Sequence, residues 1–334
     1  MFFFIALIAT FIASFVFSYY LIPLCMKIAY KLNILDYPNG VLKQQKSPVA
    51  YLGGLAVYGG FILSLALFFP FANNDFLLLV GSTILLFLGL MDDIIALSPL
   101  QKFVGQIVAA ICFLKAGFYL KYNFFESQTH LVVGLMKFFS FVWILTIINA
   151  FNLIDIMDGL ATTVALIATT GFLIIALIFH LPTVPFLLCA LQGAMLAFLL
   201  INRPPAAMYL GDAGSLFLGG ILAVIPFMFP WGTYNILGFC SPVIILAIPL
   251  LEVSSLIIIR TIKGIPFYQG SPDHFVHMLK RKKWRVVSIL TIIALMGIFL
   301  NVIAFLNALG YLSFYQLLLC GTNFLLFWTF LVWE

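Results

Sequence analysis

Charge is scarce in this sequence. Asp, Glu, Lys and Arg make up only 8% of its 334 residues, where a soluble globular domain carries about 25%. With 64% hydrophobic residues and a mean hydropathy of +1.20, there is too little polar side chain to cover a soluble surface. The composition predicts a polytopic membrane protein. Cysteine is sparse and scattered: the five residues 25, 112, 189, 240 and 320 form no CxxC or paired spacing. This excludes a disulfide framework or a thiolate zinc site and leaves small packing residues. No P-loop, HExxH, G-x-S-x-G elbow or Rossmann glycine pattern occurs, which sets aside ATPases, zinc proteases and dinucleotide enzymes. No basic n-region or A-x-A site accompanies Phe2–Leu24, so this run is expected to be a retained helix rather than a cleaved signal. Low-complexity tracts and short repeats are lacking, and no nucleic-acid partner is expected.

Long apolar runs are what the sequence has. A spanning helix needs roughly 20 apolar residues. Candidate spans are 2–24, 51–69, 76–91, 100–120, 131–148, 159–179, 184–201, 215–229, 237–259, 286–306 and 311–333. These predict an all-α protein of about 11 transmembrane helices forming a single integral-membrane domain over 1–334. Alternate loops carry 13 of the 16 basic residues, from Lys27, Lys31, Lys43 and Lys46 through Lys102 and Arg203 to the run Arg260–Arg285. Only Lys115, Lys121 and Lys137 fall near the other side. The positive-inside rule then puts the N-terminus outside and the C-terminus in the cytoplasm. Asp36, Asp92, Asp93, Asp155, Asp158, Asp212 and Asp273 sort to the same cytoplasmic side, while Glu252 lies inside the ninth span. Polarity gathered on one face suits a site that opens to the cytosol at membrane depth.

Five clusters could carry chemistry. The adjacent acids Asp92-Asp93 end the third span, where carboxylates oppose the helix dipole and require a compensating partner. Ser98-Pro99 then starts the next helix, whose Lys102 could face back toward them. Asn149, Asn152, Asp155 and Asp158 recur every third residue and share one face if the segment is helical. Oxygen-bearing side chains of this kind suit Mg²⁺ and a sugar nucleotide. In Gly211-Asp212-Ala213-Gly214-Ser215 the acid sits on a tight turn at a helix start, where the competing reading is plain capping. Gly53-Gly54, opening a helix after Lys46 and Pro48, offers either an anion site or close helix packing. His274 and His277, beside the basic run Lys280–Arg285, share a helical face and could clamp a diphosphate. The basic run itself reads as a topogenic, lipid-headgroup patch.

In this order the clusters resemble the polyprenyl-phosphate N-acetylhexosamine-1-phosphate transferase family. The matching residues run from Gly53-Gly54 to His277, about two-thirds of the chain. The family has an N-acetylglucosamine branch, which Glu252 and Arg260 resemble in spacing, and a more distant phospho-N-acetylmuramoyl-pentapeptide branch. The resemblance implies a bacterial inner-membrane, multi-pass, Mg²⁺-dependent phosphoglycosyltransferase, with Mn²⁺ an alternative ion. It implies transfer of a sugar 1-phosphate, expected to be N-acetylglucosamine 1-phosphate, from a UDP-N-acetylhexosamine to polyprenyl (undecaprenyl) phosphate. UMP leaves, and a lipid-linked cell-envelope glycan is begun. Carried over by position, Asp92, Asp93 and Asp158 are the catalytic acids, with Asp92 and Asp93 near the lipid phosphate. Asp212 and Asn152 are the metal ligands. Lys102, Asn149, Asp155, His274, His277 and Gly53 are the substrate-binding residues. Membrane lipids are expected neighbours, and a homodimer is an open expectation. The chain departs from the family pattern in four places. Pro48-Val49-Ala50-Tyr51 stands for Pro-Thr-Pro-Arg, Asp155-Ile156-Met157-Asp158 for Asp-Gly-Leu-Asp, and His274-Phe275-Val276-His277 for His-x-His-His. Thr261 replaces a second Arg.

Direct attack by the lipid phosphate is the preferred route, with a two-step route through an enzyme nucleophile also open. Two readings from other classes are weighed against this one. A cation-coupled transporter would place acids along a path through the membrane. A non-catalytic lipid-binding scaffold would have no use for oxygen ligands in register.

Overall fold

A computed structural model describes residues 2–38, 47–71, 75–121, 129–266 and 271–332. Lys43, Lys46 and Trp333, which the sequence reading uses, lie outside them. The chain folds as α1 (Phe2–Leu32), β1 (Leu35–Asp36), β2 (Val49–Ala50), α2 (Gly53–Phe68), α3 (Asp75–Ile95), α4 (Pro99–Lys115), α5 (His130–Ile154), α6 (Leu160–Ile178), α7 (Val184–Asn202) and α8 (Gly211–Val224). After two 3-10 turns come α9 (Ser241–Ile245), α10 (Ala247–Ile262), α11 (Phe275–Arg281), α12 (Val286–Ala308) and α13 (Phe314–Val332). Among the described residues, eight helical segments are long and apolar enough to cross a membrane, nine if α9–α10 and its preceding turn count as one bent span. Each of the eleven expected runs is helical. Those at 51–69 and 100–120, however, become helices of 16 and 17 residues, about 25 Å at 1.5 Å per residue. Among the described residues, the all-α expectation is broken by the antiparallel pair β1–β2, with Leu35 opposite Ala50 and Asp36 opposite Val49, and by an isolated bridge between Ala50 and Met208.

The expected continuous span at 237–259 is instead bent by 72°. Pro249 lacks the N–H that would bond Ile245, so the helix breaks at Leu246. Polar groups near the break are met by Asn307, whose Nδ2 donates to the Leu237 carbonyl (2.7 Å) and to Ser241 Oγ (3.0 Å). Backbone freed within a membrane must be satisfied this way.

The core holds large apolar side chains such as Phe61, Phe113, Phe172 and Phe217, while α1 docks through a seam rich in small and polar residues. The buried seam of α1 is Leu7, Thr10, Ser14, Ser18, Ile22, Cys25 and Ala29, three or four residues apart. Ser14 Oγ donates to Ala190 O of α7 (2.5 Å) and Ser18 Oγ to Ala56 O of α2 (3.1 Å). Meanwhile Ile8, Ile12, Tyr20 and Leu24 are exposed to the lipid side. Small residues allow the close backbone approach on which membrane packing relies.

At the centre stands α8. Every one of its residues is buried except Asp212. Helices α2 and α3 come within glycine distance of its start. A Cβ on Gly54 would strike the backbone of Gly214 and Ala213, and one on Gly89 would strike the backbone of Asp212 and Ala213. These contacts bring the polar end of α3 against the polar end of α8.

Gly54→Ala is therefore expected to force α2 from α8 and to lower the thermal unfolding temperature in detergent, overpacking of this kind costing about 1–3 kcal/mol. Gly134→Ala, on α5 with open space around its Cβ, is expected to leave that temperature unchanged or higher.

Candidate functional site

The last turn of α3 presents Asp92 and Asp93, and the two diverge. Asp93 reaches α8, where its Oδ1 accepts the N–H of Asp212 (2.8 Å) and its Oδ2 that of Ala213 (3.1 Å). It thus caps a helix to which it does not belong. A carboxylate there satisfies two orphan amides and matches the positive end of the helix dipole. Gly211 allows the approach. Its φ is +73°, and a Cβ there would lie 2.6 Å from Asp93 Oδ2. Asp92 turns back onto its own chain and accepts the Leu97 N–H (2.7 Å). Its other oxygen meets Lys102 Nζ at 2.9 Å.

Lys102 owes its place to the start of α4. Ser98 caps the helix in a capping box with Gln101, and Pro99 occupies the first turn. One turn in, Lys102 faces the acids and bridges Asp92 of α3 to Asp212 of α8. All three side chains are part-buried, so the bridge is neither freely solvated nor sealed. Asp212 accepts on its other oxygen from Asn152 Nδ2 of α5 (2.9 Å), and the same amide reaches Ser215 Oγ (3.1 Å). Asp92, Asp93, Lys102, Asn152 and Asp212 therefore form one hydrogen-bonded unit assembled from α3, α4, α5 and α8.

The expected shared face of Asn149, Asn152, Asp155 and Asp158 does not form. Helix α5 ends at Ile154, and Asp155 caps it with φ −80° and ψ 58°. Asp155 and Asp158 leave the helix with the loop. Asp158 still serves the site's edge, where its Oδ2 accepts the Ala206 N–H (2.9 Å). Asp155 is part-buried, and its carboxylate makes no hydrogen bond among the described residues. Burial, and then the charges of Asp212, Asp93 and Asp158, hold it well above the usual carboxylate range.

Three other expectations are corrected. Asn149 makes a reciprocal amide pair with the buried Gln106 (2.8 and 3.2 Å) that joins α5 to α4. Its second amide hydrogen goes to Leu145 O, so the side chain has no donor left for a substrate. The Gly53 and Gly54 amides donate to Tyr209 O (3.1 Å) and Leu210 O (2.8 Å), so this helix start offers them to no anion. His274 precedes α11 rather than lying on it. Buried, it meets Glu252 through Nδ1 (2.8 Å). His277 does lie on α11, part-buried beside His274 with ring centroids 6.0 Å apart. Burial and then the neighbouring His274, Lys280 and Arg281 charges press His277 below the usual imidazole range. Around them Lys263 pairs with Asp273 (2.5 Å) and Arg260 Nε donates to Ser271 Oγ (3.0 Å). No hydrogen bond joins this group to the acid cluster among the described residues.

Some residues of the site carry no strong local signal. Tyr51 Oη donates to the buried Asp36 (2.9 Å) and packs on Tyr209, 5.9 Å between ring centroids. Buried Asn202 fastens the segment leading into α8, accepting the Gly159 N–H (3.0 Å) and donating to Met208 O (2.9 Å). A lone Asn at the end of an apolar helix is the only sequence hint of that role.

Among the described residues no three His, Cys, Asp or Glu side chains are grouped as metal ligands, and both oxygens of Asp212 are engaged, one by Lys102 and one by Asn152. The donor set is all oxygen and nitrogen, without thiolate or imidazole. Of the five acids, Asp92 and Asp212 meet Lys102, which is the only cation hydrogen-bonded to any of them among the described residues; oxygen donors of this type are those a hard cation takes.

A helical multi-pass membrane protein with such a cluster at the ends of its central helices is the class that fold and site define. Residues 76–229, which hold all five acids and Lys102, match the family model described as glycosyl transferase family 4. A probable undecaprenyl-phosphate N-acetylglucosaminyl 1-phosphate transferase of Bacillus subtilis (strain 168) is 29% identical over 280 residues, covering 82% of this chain and 77% of that one. The phospho-N-acetylmuramoyl-pentapeptide-transferase of Listeria monocytogenes serovar 1/2a is 31% identical over 246 residues, 66% of this chain and 74% of the relative. Its counterpart in Clostridium beijerinckii is 28% identical over 320 residues, 90% and 95%. The chain belongs to glycosyl transferase family 4.

Asn149→Ala is expected to cost about 1–3 kcal/mol of stability, because it strands the buried Gln106 amide. Replacing both residues by Leu should recover most of that loss. A thermal double-mutant cycle reads the pairing, and additive losses would count against it.

Proposed function

We propose that this chain transfers a sugar 1-phosphate from a UDP-sugar to polyprenyl phosphate, releasing UMP. The observation that carries the reading is the Asp92–Lys102–Asp212 unit with Asn152, which lies within the family-matched residues. Among transferred groups, N-acetylglucosamine 1-phosphate is favoured, in line with the relative whose match spans 82% of the chain.

The chemical problem is to bring two anions together in line. An oxygen of the lipid phosphate attacks the phosphorus bonded to the sugar. The bond from that phosphorus to the bridging oxygen breaks, and UMP leaves with the oxygen. Asp92 and Asp93 flank the lipid phosphate. Asp93 acts chiefly by holding the start of α8, and with it Asp212, in place. Lys102 supplies positive charge to phosphoryl oxygens as the bonds change. Asp155 and Asp158, on the loop after α5, line the nucleotide-sugar side. Asp212 and Asn152 would hold Mg²⁺, which would supply positive charge to neutralise the diphosphate and the departing UMP. The support is the absence of thiolate and imidazole from the cluster among the described residues and its excess of carboxylates over cations. Holding both substrates in one cleft supplies the proximity a bimolecular reaction lacks.

Topology supports a cytoplasmic site. We infer eleven crossings, counting the short helices α2 and α4, with the N-terminus outside. Lys102 and Arg203 flank the acids on the side where most basic residues lie. The relatives are bacterial, which favours the inner membrane of a bacterium. A coupled transporter fits less well. The acids gather at one set of helix ends, and the intramembrane Glu252 is engaged by His274 rather than lining a polar path.

Purified protein incubated with undecaprenyl phosphate, UDP-N-acetylglucosamine and Mg²⁺ is expected to form UMP. Asp212→Asn should lower turnover by about two to three orders of magnitude, with the unfolding temperature kept. EDTA should abolish activity and added Mg²⁺ restore it. UMP formed only from UDP-N-acetylmuramoyl-pentapeptide would move the chain to the other branch, and activity that survives EDTA would remove the metal assignment.

A further inference from the structure

The far ends of α4 and α5, away from the acid cluster, carry a second polar feature that the transfer reaction does not use. A cavity of about 460 Å³ is lined by Ile111, Leu114, Lys115, Gly117, Tyr119 and Lys137. Lys121 Nζ lies 5.4 Å from the centre of the Tyr119 ring, and Lys137 Nζ lies 5.2 Å from the same centre. Two ammonium groups thus share one aromatic ring, and Lys115 borders the same cavity. None of the three lysines has an ion-pair partner among the described residues.

All three lysines are exposed, so their charge is open to an anion from outside the bundle. Lys137 stands two turns inside α5, a helix otherwise apolar from Leu131 to Ile148. Ionisable groups at such depth are rarely left unpaired. A shared ring offsets part of the repulsion but leaves the positive charge in place. These are also the three basic residues that the positive-inside pattern does not explain. The walls bear on the identity of the anion. On α4 the exposed residues Val104, Val108 and Ile111 run along one face into the cavity, and on α5 Leu135, Phe138 and Phe139 are exposed beside it. Cations at the head of an open apolar seam match an amphiphile rather than a free anion.

We propose that this cavity binds the headgroup of an anionic phospholipid. Its phosphodiester lies among Lys115, Lys121 and Lys137, and its acyl chains lie along the outward seam of α4 and α5. The site is separate from the acid cluster, at the other end of the same two helices, and does not depend on the activity proposed above. Bound lipid would tie α4 to α5 where Gln106 and Asn149 do not reach.

The test is native mass spectrometry of the full-length protein in micelles containing phosphatidylglycerol or phosphatidylcholine. The wild type is expected to retain phosphatidylglycerol preferentially. Each lysine near a surface contributes roughly fivefold to affinity for anionic lipid. Combined Lys115→Gln, Lys121→Gln and Lys137→Gln should therefore weaken that retention by about a hundredfold, at an unchanged unfolding temperature in lipid-free detergent. The corresponding triple Arg variant should retain the lipid. Equal retention by the wild type and the Gln variant overturns the proposal, as does a wild type without preference between the lipids. Binding of inorganic phosphate as tight as that of phosphatidylglycerol overturns it in favour of a free-anion site.

Discussion

The structure depends on how Asp92, Asp93 and Asp212 are held together at the ends of membrane helices. Carboxylates this close repel one another, and partial burial removes the water that would screen them. Lys102 meets part of that cost by bridging Asp92 and Asp212. The start of α8 meets another part, since two of its amides take up the charge of Asp93. The acids are thus compensated by different means. One is tied to a side-chain cation. Another is fixed to backbone. This separation lets a stable fold keep reactive charge available.

Packing makes the compensation possible. Asp93 reaches α8 only because Gly211 has no side chain and Gly89 lets α3 run against the Asp212 backbone. Gly54 and Gly214 bring α2 to the same point, and the Gly53 and Gly54 amides tie it to the segment before α8. The short pair β1–β2 and the Ala50–Met208 bridge extend that tie. A buried α8 with one accessible residue, Asp212, is the result. The glycines belong to the site through the helix ends they allow to meet, rather than through contacts with a ligand.

Much of this was legible in the residues. Composition alone identified a helical membrane protein, and the apolar runs located its helices. The acids could be grouped because ionisable residues are rare enough in such a chain to stand out, and Lys102 could be aimed at them from Ser98-Pro99. The rest was hidden for definite reasons. A three-residue spacing does not reveal where a helix stops, so Asp155 and Asp158 were placed on a face that ends at Ile154. Asn149 has the same chemistry as Asn152 but meets Gln106, and only three-dimensional neighbours separate the two. His274 looked like a ligand because buried Glu252, 22 residues earlier, was not seen as its partner. Lengths from 51–69 and 100–120 were overcounted because apolar residues beyond a helix end look the same in sequence as those within it.

The central claim is that Asp92, Lys102 and Asp212 act as one unit. A double-mutant cycle on UMP formation tests it most directly, comparing Asp92→Asn, Lys102→Met and the two combined. Groups in one network couple, and their losses do not add. The account predicts that the double variant is about as slow as the slower single one. Losses that multiply, as for independent sites, would contradict it.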